Sequence, residues 1–281
     1  MTEHKIKIAE LNINYVATGS GDPMLFLHNG GGFWYSWEHQ LKHFAVNYQV
    51  FGIDWPGFGE SDSPEGMISL QLLTDVLSEF IEKLNLVNPI LVGNCIGASA
   101  ALNYTIQQKK SIRALILFNP CPGSLIFPFK PLRTLIASVH KSEKRKKSMQ
   151  SFFRFLFTKT FVKSQFPKVL FGKKNDPATP LYKRYLEKLK DERHTQSRVN
   201  LFFSVHTFNM DIITQNFEIP EHLLVWSNDN KVTLINRHGR VHRKLLGTTN
   251  YEIVEDAGHL CMYERPEKVN QIIENYLLKS S

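Results

Sequence analysis

No stretch of this 281-residue chain approaches the ~18 consecutive apolar residues that a helical membrane span requires, so none is expected to cross a bilayer. The N-terminal segment Met1–Ile8 lacks an apolar h-region and a small-residue cleavage site, so no secretory signal is read there. Cysteine is scarce. Cys95, Cys121 and Cys261 are odd in number and show neither Cys-x-x-Cys nor metal-ligand spacing. That argues against a disulfide framework or a structural metal, and a cytoplasmic location is the simplest expectation. Internal repeats and low-complexity tracts are also missing.

What the chain does have is an ordinary globular composition, 42% hydrophobic and 21% charged, with enough length for one large domain carrying an insertion. The net charge of +8 hides a strong asymmetry. Between Gly123 and Val199 stand 19 Lys and Arg against 5 Asp and Glu, a balance of +14, which leaves −6 for the remainder. An acidic body with a strongly basic middle suggests that the middle is a separate structural unit.

Short apolar runs alternate with helical patterns on either side of that middle. Strands are expected at Lys5–Ile8, Ile13–Val16, Met24–His28, Gln49–Ile53, Ile90–Val92, Ala114–Phe118, Leu223–Trp226 and Tyr251–Val254. Helices are expected over Leu70–Leu84, Ile96–Gln107, near Arg237–Leu246 and over Pro266–Leu278. The alternation implies an α/β fold with a mainly parallel sheet covered on both faces. After Asn119-Pro-Cys-Pro-Gly123 the pattern breaks into a basic, phenylalanine-rich stretch with helices expected at Leu132–Phe157 and Pro180–Glu192. Residues 1–122 and 216–281 are therefore read as the core and 123–215 as a basic helical cap.

The most informative segment is Pro89-Ile-Leu-Val-Gly-Asn-Cys-Ile-Gly-Ala-Ser-Ala-Ala-Leu102. A strand, a tight turn flanked by Gly93 and Gly97, and a helix of small residues are the layout of a nucleophile elbow, with Cys95 at the tip where serine is usual. His259 follows the strand Tyr251–Val254, and Leu224–Val232 supplies a strand end between them. Nucleophile, orienting residue and histidine in that order are the order of the α/β-hydrolase fold.

The chain resembles an α/β-hydrolase of the capped branch that includes epoxide hydrolases, haloalkane dehalogenases and meta-cleavage-product hydrolases. The resemblance covers residues 10–120 and 215–279. It rests on His28-Asn-Gly-Gly-Gly32, Asp54-Trp-Pro-Gly-Phe-Gly-Glu-Ser61, the elbow, and Ala257-Gly-His259 with Glu264-Arg-Pro-Glu267. It implies an eight-stranded-type sheet and a cofactor-independent hydrolase. In that setting Cys95 is the nucleophile and His259 its base, while the oxyanion is held by the N–H groups of Ile96 and Gly30. The side chain of Asn29 either adds a donor or tightens the turn, and His28 and Asp54 are read as structural. Cys121 and Cys261 are also read as structural.

Two positions depart from the family. Cys95 stands where relatives have Ser or Asp, and Asn230, four residues after Trp226, stands where they usually carry Asp. Asp229 lies one residue early and is the rival orienter. The other acid location, after Ala114–Phe118, also holds an amide, Asn119. A thiol tolerates this better than a hydroxyl, since a thiolate–imidazolium pair asks the third residue mainly to orient the ring, and the helix beginning near Ile96 favours a thiolate.

Three readings follow. The chain is a hydrolase of an ester or thioester; it is an acyltransferase using the same acyl-Cys95; or it is a binding or sensing protein on a degenerate scaffold. The cap charge favours an anionic small molecule or acyl carrier. Peripheral membrane contact is the runner-up, given lysines such as Lys141–Lys147 beside Phe152–Phe157. The lack of a recognition motif argues against nucleic acid.

Overall fold

The computed structural model describes residues 1–108, 112–127, 168–172, 179–209 and 221–279, with isolated positions between 129 and 155. Lys141–Lys147, most of Leu132–Phe157, and Phe161 and Phe166 lie outside the described residues.

Eight strands form one sheet: β1 (Thr2–Ile8), β2 (Leu11–Thr18), β3 (Pro23–Leu27), β4 (Gln49–Ile53), β5 (Ile90–Asn94), β6 (Ala114–Phe118), β7 (Leu223–Ser227) and β8 (Tyr251–Val254). Their spatial order is β1-β2-β4-β3-β5-β6-β7-β8. β2 runs antiparallel to β1 and β4, and every pairing from β4 to β8 is parallel. β5, β6 and β7 are buried at all five positions, as strands covered on both faces must be.

Two apolar layers cover the sheet. On one face lie α2 (Leu70–Lys83) and α3 (Ile96–Gln108), with Leu73, Leu77, Phe80 and Leu102 in the core. On the other lie α1 (Glu38–Phe44) and the C-terminal helix over residues 266–279, contributing Leu41, Phe44, Val269 and Ile273. The Ser69 side chain caps α2 by accepting from the N–H of Leu72, at 3.2 Å. The chain leaves β3 for β4 on one side and returns past β3 to β5 on the other. That reversal makes the ends of β3 and β5 a topological switch point, where open α/β sheets hold their ligands.

Between β6 and β7 the described residues form a 3₁₀ turn (Gly123–Ile126), α4 (Pro180–Lys188) and α5 (Glu192–Ser204). The helix expected over Pro180–Glu192 ends early, and α5 over Glu192–Ser204 was not expected. α4 stops at Lys188, and the carboxylate of Asp191 restarts the chain by accepting from the N–H of Arg193, at 2.8 Å. After β7, a single π-turn (Ile235–Gly239) leads into α6 (Arg240–Leu246), and α7 (Cys261–Glu264) precedes α8 (Pro266–Lys279).

Asp54, at the end of β4, ties three segments together. Its carboxylate accepts from the N–H of Trp34 at 2.7 Å, the N–H of Glu60 at 3.0 Å and the amide of Asn14 at 2.8 Å. Burial pushes this carboxyl up to about 6 against the pull of those donors. Asp54→Ala leaves one buried and two part-buried donors without their acceptor and is expected to lower stability by about 1–3 kcal/mol, measured by urea unfolding.

Candidate active site

Cys95 adopts a left-handed backbone, φ +56°, between β5 and α3. Its N–H donates to the carbonyl of Phe118 at 3.0 Å, anchoring the turn to β6. The flanking glycines are dictated by space. A Cβ on Gly93 would lie 2.5 Å from the backbone N of Ala98, and one on Gly97 would lie 2.3 Å from the carbonyl oxygen of Leu27. The elbow therefore needs both glycines, and it aims the Cys95 side chain at the switch point.

The backbone N–H groups of Ile96 and Gly30 favour the thiolate of Cys95, against the burial that raises its thiol. The Gly30 loop is pinned from beneath by His28. Its Nδ1–H donates to the carbonyl of Asn29 at 2.7 Å, while its Nε2 accepts from the N–H of Trp55 at 2.9 Å. Those partners fix a neutral ring, which burial holds down to about 3. Asn29 does not add a donor to the site. Its Nδ2 is turned onto the carbonyl of Gly30 at 3.2 Å and its Oδ1 accepts from the hydroxyl of Tyr185 at 3.3 Å, so its part is to tighten the turn.

The histidine partner is Asn230 and not Asp229. Asn230 Nδ2 stands 3.1 Å from His259 Nδ1, whereas Asp229 is half-buried and its backbone N–H donates to the carbonyl of Ala257. Asn119 is engaged elsewhere, accepting from the N–H of Ser227 and donating to Asn94. Asn94 in turn donates to the His259 carbonyl at 3.0 Å. These amides link the ends of β5, β6 and β7 to the histidine loop.

The orientation of the Asn230 amide follows from its neighbours. Oδ1 accepts from the N–H groups of Val232 at 2.9 Å and Thr233 at 3.0 Å, so Nδ2 must be the atom that faces the ring. An N–H aimed at Nδ1 makes that nitrogen an acceptor, and the proton of the neutral imidazole sits on Nε2. Burial also holds His259 down to about 3. The Cys95 thiol is pushed well up by its hydrogen bond to Cys121 and by burial. The expected thiolate–imidazolium pair is therefore not the resting state: an amide donor and a dry cavity favour a neutral thiol beside a neutral ring.

Cys95 and His259 share the wall of a cavity of about 200 Å³. Gly30, Ile96 and Cys121 line it from the sheet side, and Arg198, Leu201 and Phe202 of α5, with Val205 just beyond that helix, line it from above. Two of these residues escaped the sequence reading. Cys121, read there as structural, faces the site. Arg198 is 6% exposed, and burial presses its guanidinium down to about 10. The missed signal was the i, i+3, i+4, i+7 spacing of 198, 201, 202 and 205 on one helical face.

A family model described as the alpha/beta hydrolase fold matches residues 22–266, and the chain belongs to that family. Epoxide hydrolase 1 of Caenorhabditis elegans is 38% identical over 124 residues, 42% of this chain and 31% of that protein, so the aligned part is about a third of the relative's length. Epoxide hydrolase 3 of Xenopus tropicalis aligns at 23% identity over 97% of this chain and 76% of its own. Among solved structures, an esterase from Thermogutta terrifontis covers 100% of this chain and 99% of its own with a TM-score of 0.78 at 18% identity, a likeness of fold. No helix among the described residues is long and apolar enough to cross a membrane.

Two measurements probe this geometry. Asn230→Asp replaces the donor with an acceptor, which places a proton on His259 Nδ1 and frees Nε2 to take the thiol proton. Iodoacetamide labelling of Cys95 at neutral pH should quicken, from roughly 10-fold to about 10⁴-fold, the upper figure being the reverse change in a serine triad. Separately, His28 and His259 sit near 3 when folded against 6.5 when exposed, so the unfolded chain binds more protons between those values. Their contribution is complete above about 6.5 and is lost as pH falls toward 3, which urea unfolding across that window should register as a declining midpoint.

Proposed function

We infer that this chain is a hydrolase that cleaves an ester or thioester through an acyl-Cys95 intermediate. The observation that carries the reading is the elbow itself: Cys95 sits at its left-handed tip and shares a cavity wall with Gly30, Ile96 and His259. Donors beside the nucleophile suit an oxyanion generated by attack on a carbonyl. Epoxide opening, the activity named for several relatives, fits this site poorly. A sulfur that opened an epoxide would be left as a thioether, which water does not cleave, whereas an acyl-sulfur bond is readily broken.

In the first step Cys95 adds to the carbonyl carbon, the oxygen is held by Ile96 and Gly30, and the leaving group departs. His259 takes the thiol proton only after its own proton moves from Nε2 to Nδ1, where it meets the Asn230 amide. That unfavourable tautomer slows the step, and a thiol bears the delay better than a hydroxyl because it ionises more easily. Water, which needs a base in the second step, suffers most. The Asn230 geometry thereby favours a second reading, transfer of the acyl group to a thiol or amine acceptor.

The substrate is a compact acyl compound bearing a negative charge. Arg198 lines an otherwise apolar cavity, and a guanidinium's planar fork of donors matches a carboxylate.

An activated half-ester of a short dicarboxylic acid should leave an acyl adduct on Cys95, detected by intact mass and peptide mapping, and Cys95→Ala should leave none. Wild-type protein that stays unmodified under these conditions would sink the acyl-enzyme reading. Arg198→Met should raise KM for the half-ester by about 10- to 100-fold relative to a neutral ester of equal size, the worth of one charge-assisted hydrogen bond.

A further inference from the structure

Cys121 has no part in the acyl chemistry above, yet it stands against the nucleophile. It lies just past β6, and its N–H donates to the carbonyl of Cys95 at 3.2 Å, while the N–H of Cys95 donates to Phe118 at 3.0 Å. These two backbone bonds hold the segments side by side at the spacing of neighbouring strands, compatible with the roughly 4.4–6.8 Å between Cα atoms that disulfides bridge. Both thiols line the cavity, with residue exposures of 6% for Cys95 and 2% for Cys121. Both are free thiols. Cys261 is buried too, but it neighbours Ser227 and Asn119 and does not line the cavity.

We propose that Cys95 and Cys121 are an oxidative modification site, a dithiol that a small hydroperoxide entering the substrate cavity converts to a disulfide, switching the nucleophile off reversibly. In the first step the small thiolate fraction of Cys95 attacks the peroxide oxygen, so the reaction is slow and quickens as pH rises. An S–O bond forms, the O–O bond breaks, and the alkoxide or hydroxide takes up the proton the thiol released and leaves as alcohol or water. The sulfur is oxidised by two electrons to a sulfenic acid and the peroxide is reduced. In the second step the Cys121 sulfur attacks Cys95, the S–S bond forms, and the S–O bond breaks. The departing hydroxide takes the Cys121 proton and leaves as water.

The neighbouring thiol thus decides the fate of the oxidised nucleophile. A sulfenic acid with a partner in contact closes to a disulfide that a dithiol reductant reopens. One without a partner proceeds to the irreversible sulfinic acid. The inference depends on Cys95 being oxidisable and not on the acyl chemistry, so its readout is the covalent state of the cysteines.

Purified wild-type protein is treated with graded hydrogen peroxide and followed by intact mass and non-reducing peptide mapping. The expected product has lost two hydrogens, maps to a Cys95–Cys121 bridge, and recovers full iodoacetamide labelling of Cys95 after dithiothreitol. Cys121→Ser, with Cys121→Ala as a second variant in case the first folds poorly, should instead gain two oxygens at Cys95 and lose the reversible fraction. Cys261→Ser should form the bridge as the wild type does. Wild-type protein that gains oxygens at Cys95 without a bridge, forms a bridge to Cys261, or keeps Cys95 fully alkylatable overturns the proposal.

Discussion

The left-handed backbone at Cys95 is the constraint on which the site depends. A non-glycine residue in that region costs on the order of 1–3 kcal/mol and persists only where its surroundings hold it. Here the hold is close contact. Gly97 packs on the Leu27 carbonyl at the end of β3, Gly93 packs on the start of α3, and the Cys95 N–H is tied to β6. Nearly every residue of α3 is buried, which offsets the strain. The same turn sets Ile96 and Cys121 beside the nucleophile in the cavity wall.

Polarity at the other end of the site agrees with this dry setting. A carboxylate at position 230 would favour an imidazolium, which the cavity disfavours. The amide of Asn230 instead donates to Nδ1 and anchors its oxygen on two backbone N–H groups. Thiol, ring and amide are all neutral, and burial acts on the first two in opposite directions to keep them so. The two departures from the family pattern thus form one electrostatic arrangement: a thiol, which ionises more readily than a hydroxyl, stands with an amide, which assists ionisation less than a carboxylate.

Much of the sheet was legible because buried strands must be continuous apolar runs, and β4, β6 and β8 match their expected bounds. The elbow was legible because steric necessity writes glycine at positions 93 and 97. Other features depend on information that local pattern does not hold. α1 follows the aromatic turn Trp34–Trp37 and is too short for its period to stand out, and the largely polar first half of α5 blurs its apolar face. The choice between Asp229 and Asn230 is set by the turn onto Val232 and Thr233. The ring tautomer is set by which way that amide faces, and Cys121 by the adjacency of β5 and β6 in the sheet. These are relations between distant segments, and neither spacing nor composition carries them.

One contact in the ceiling of the cavity ties recognition to chemistry. Gly30, which shares the cavity wall with Cys95, lies so close beneath Leu201 that a Cβ there would come within 2.7 Å of its Cδ2. Leu201 sits on the same helical stripe as Arg198. The helix that brings Arg198 to the cavity therefore also packs on the Gly30 loop. A displacement of α5 would reach the Gly30 loop directly, through one side chain resting on bare backbone.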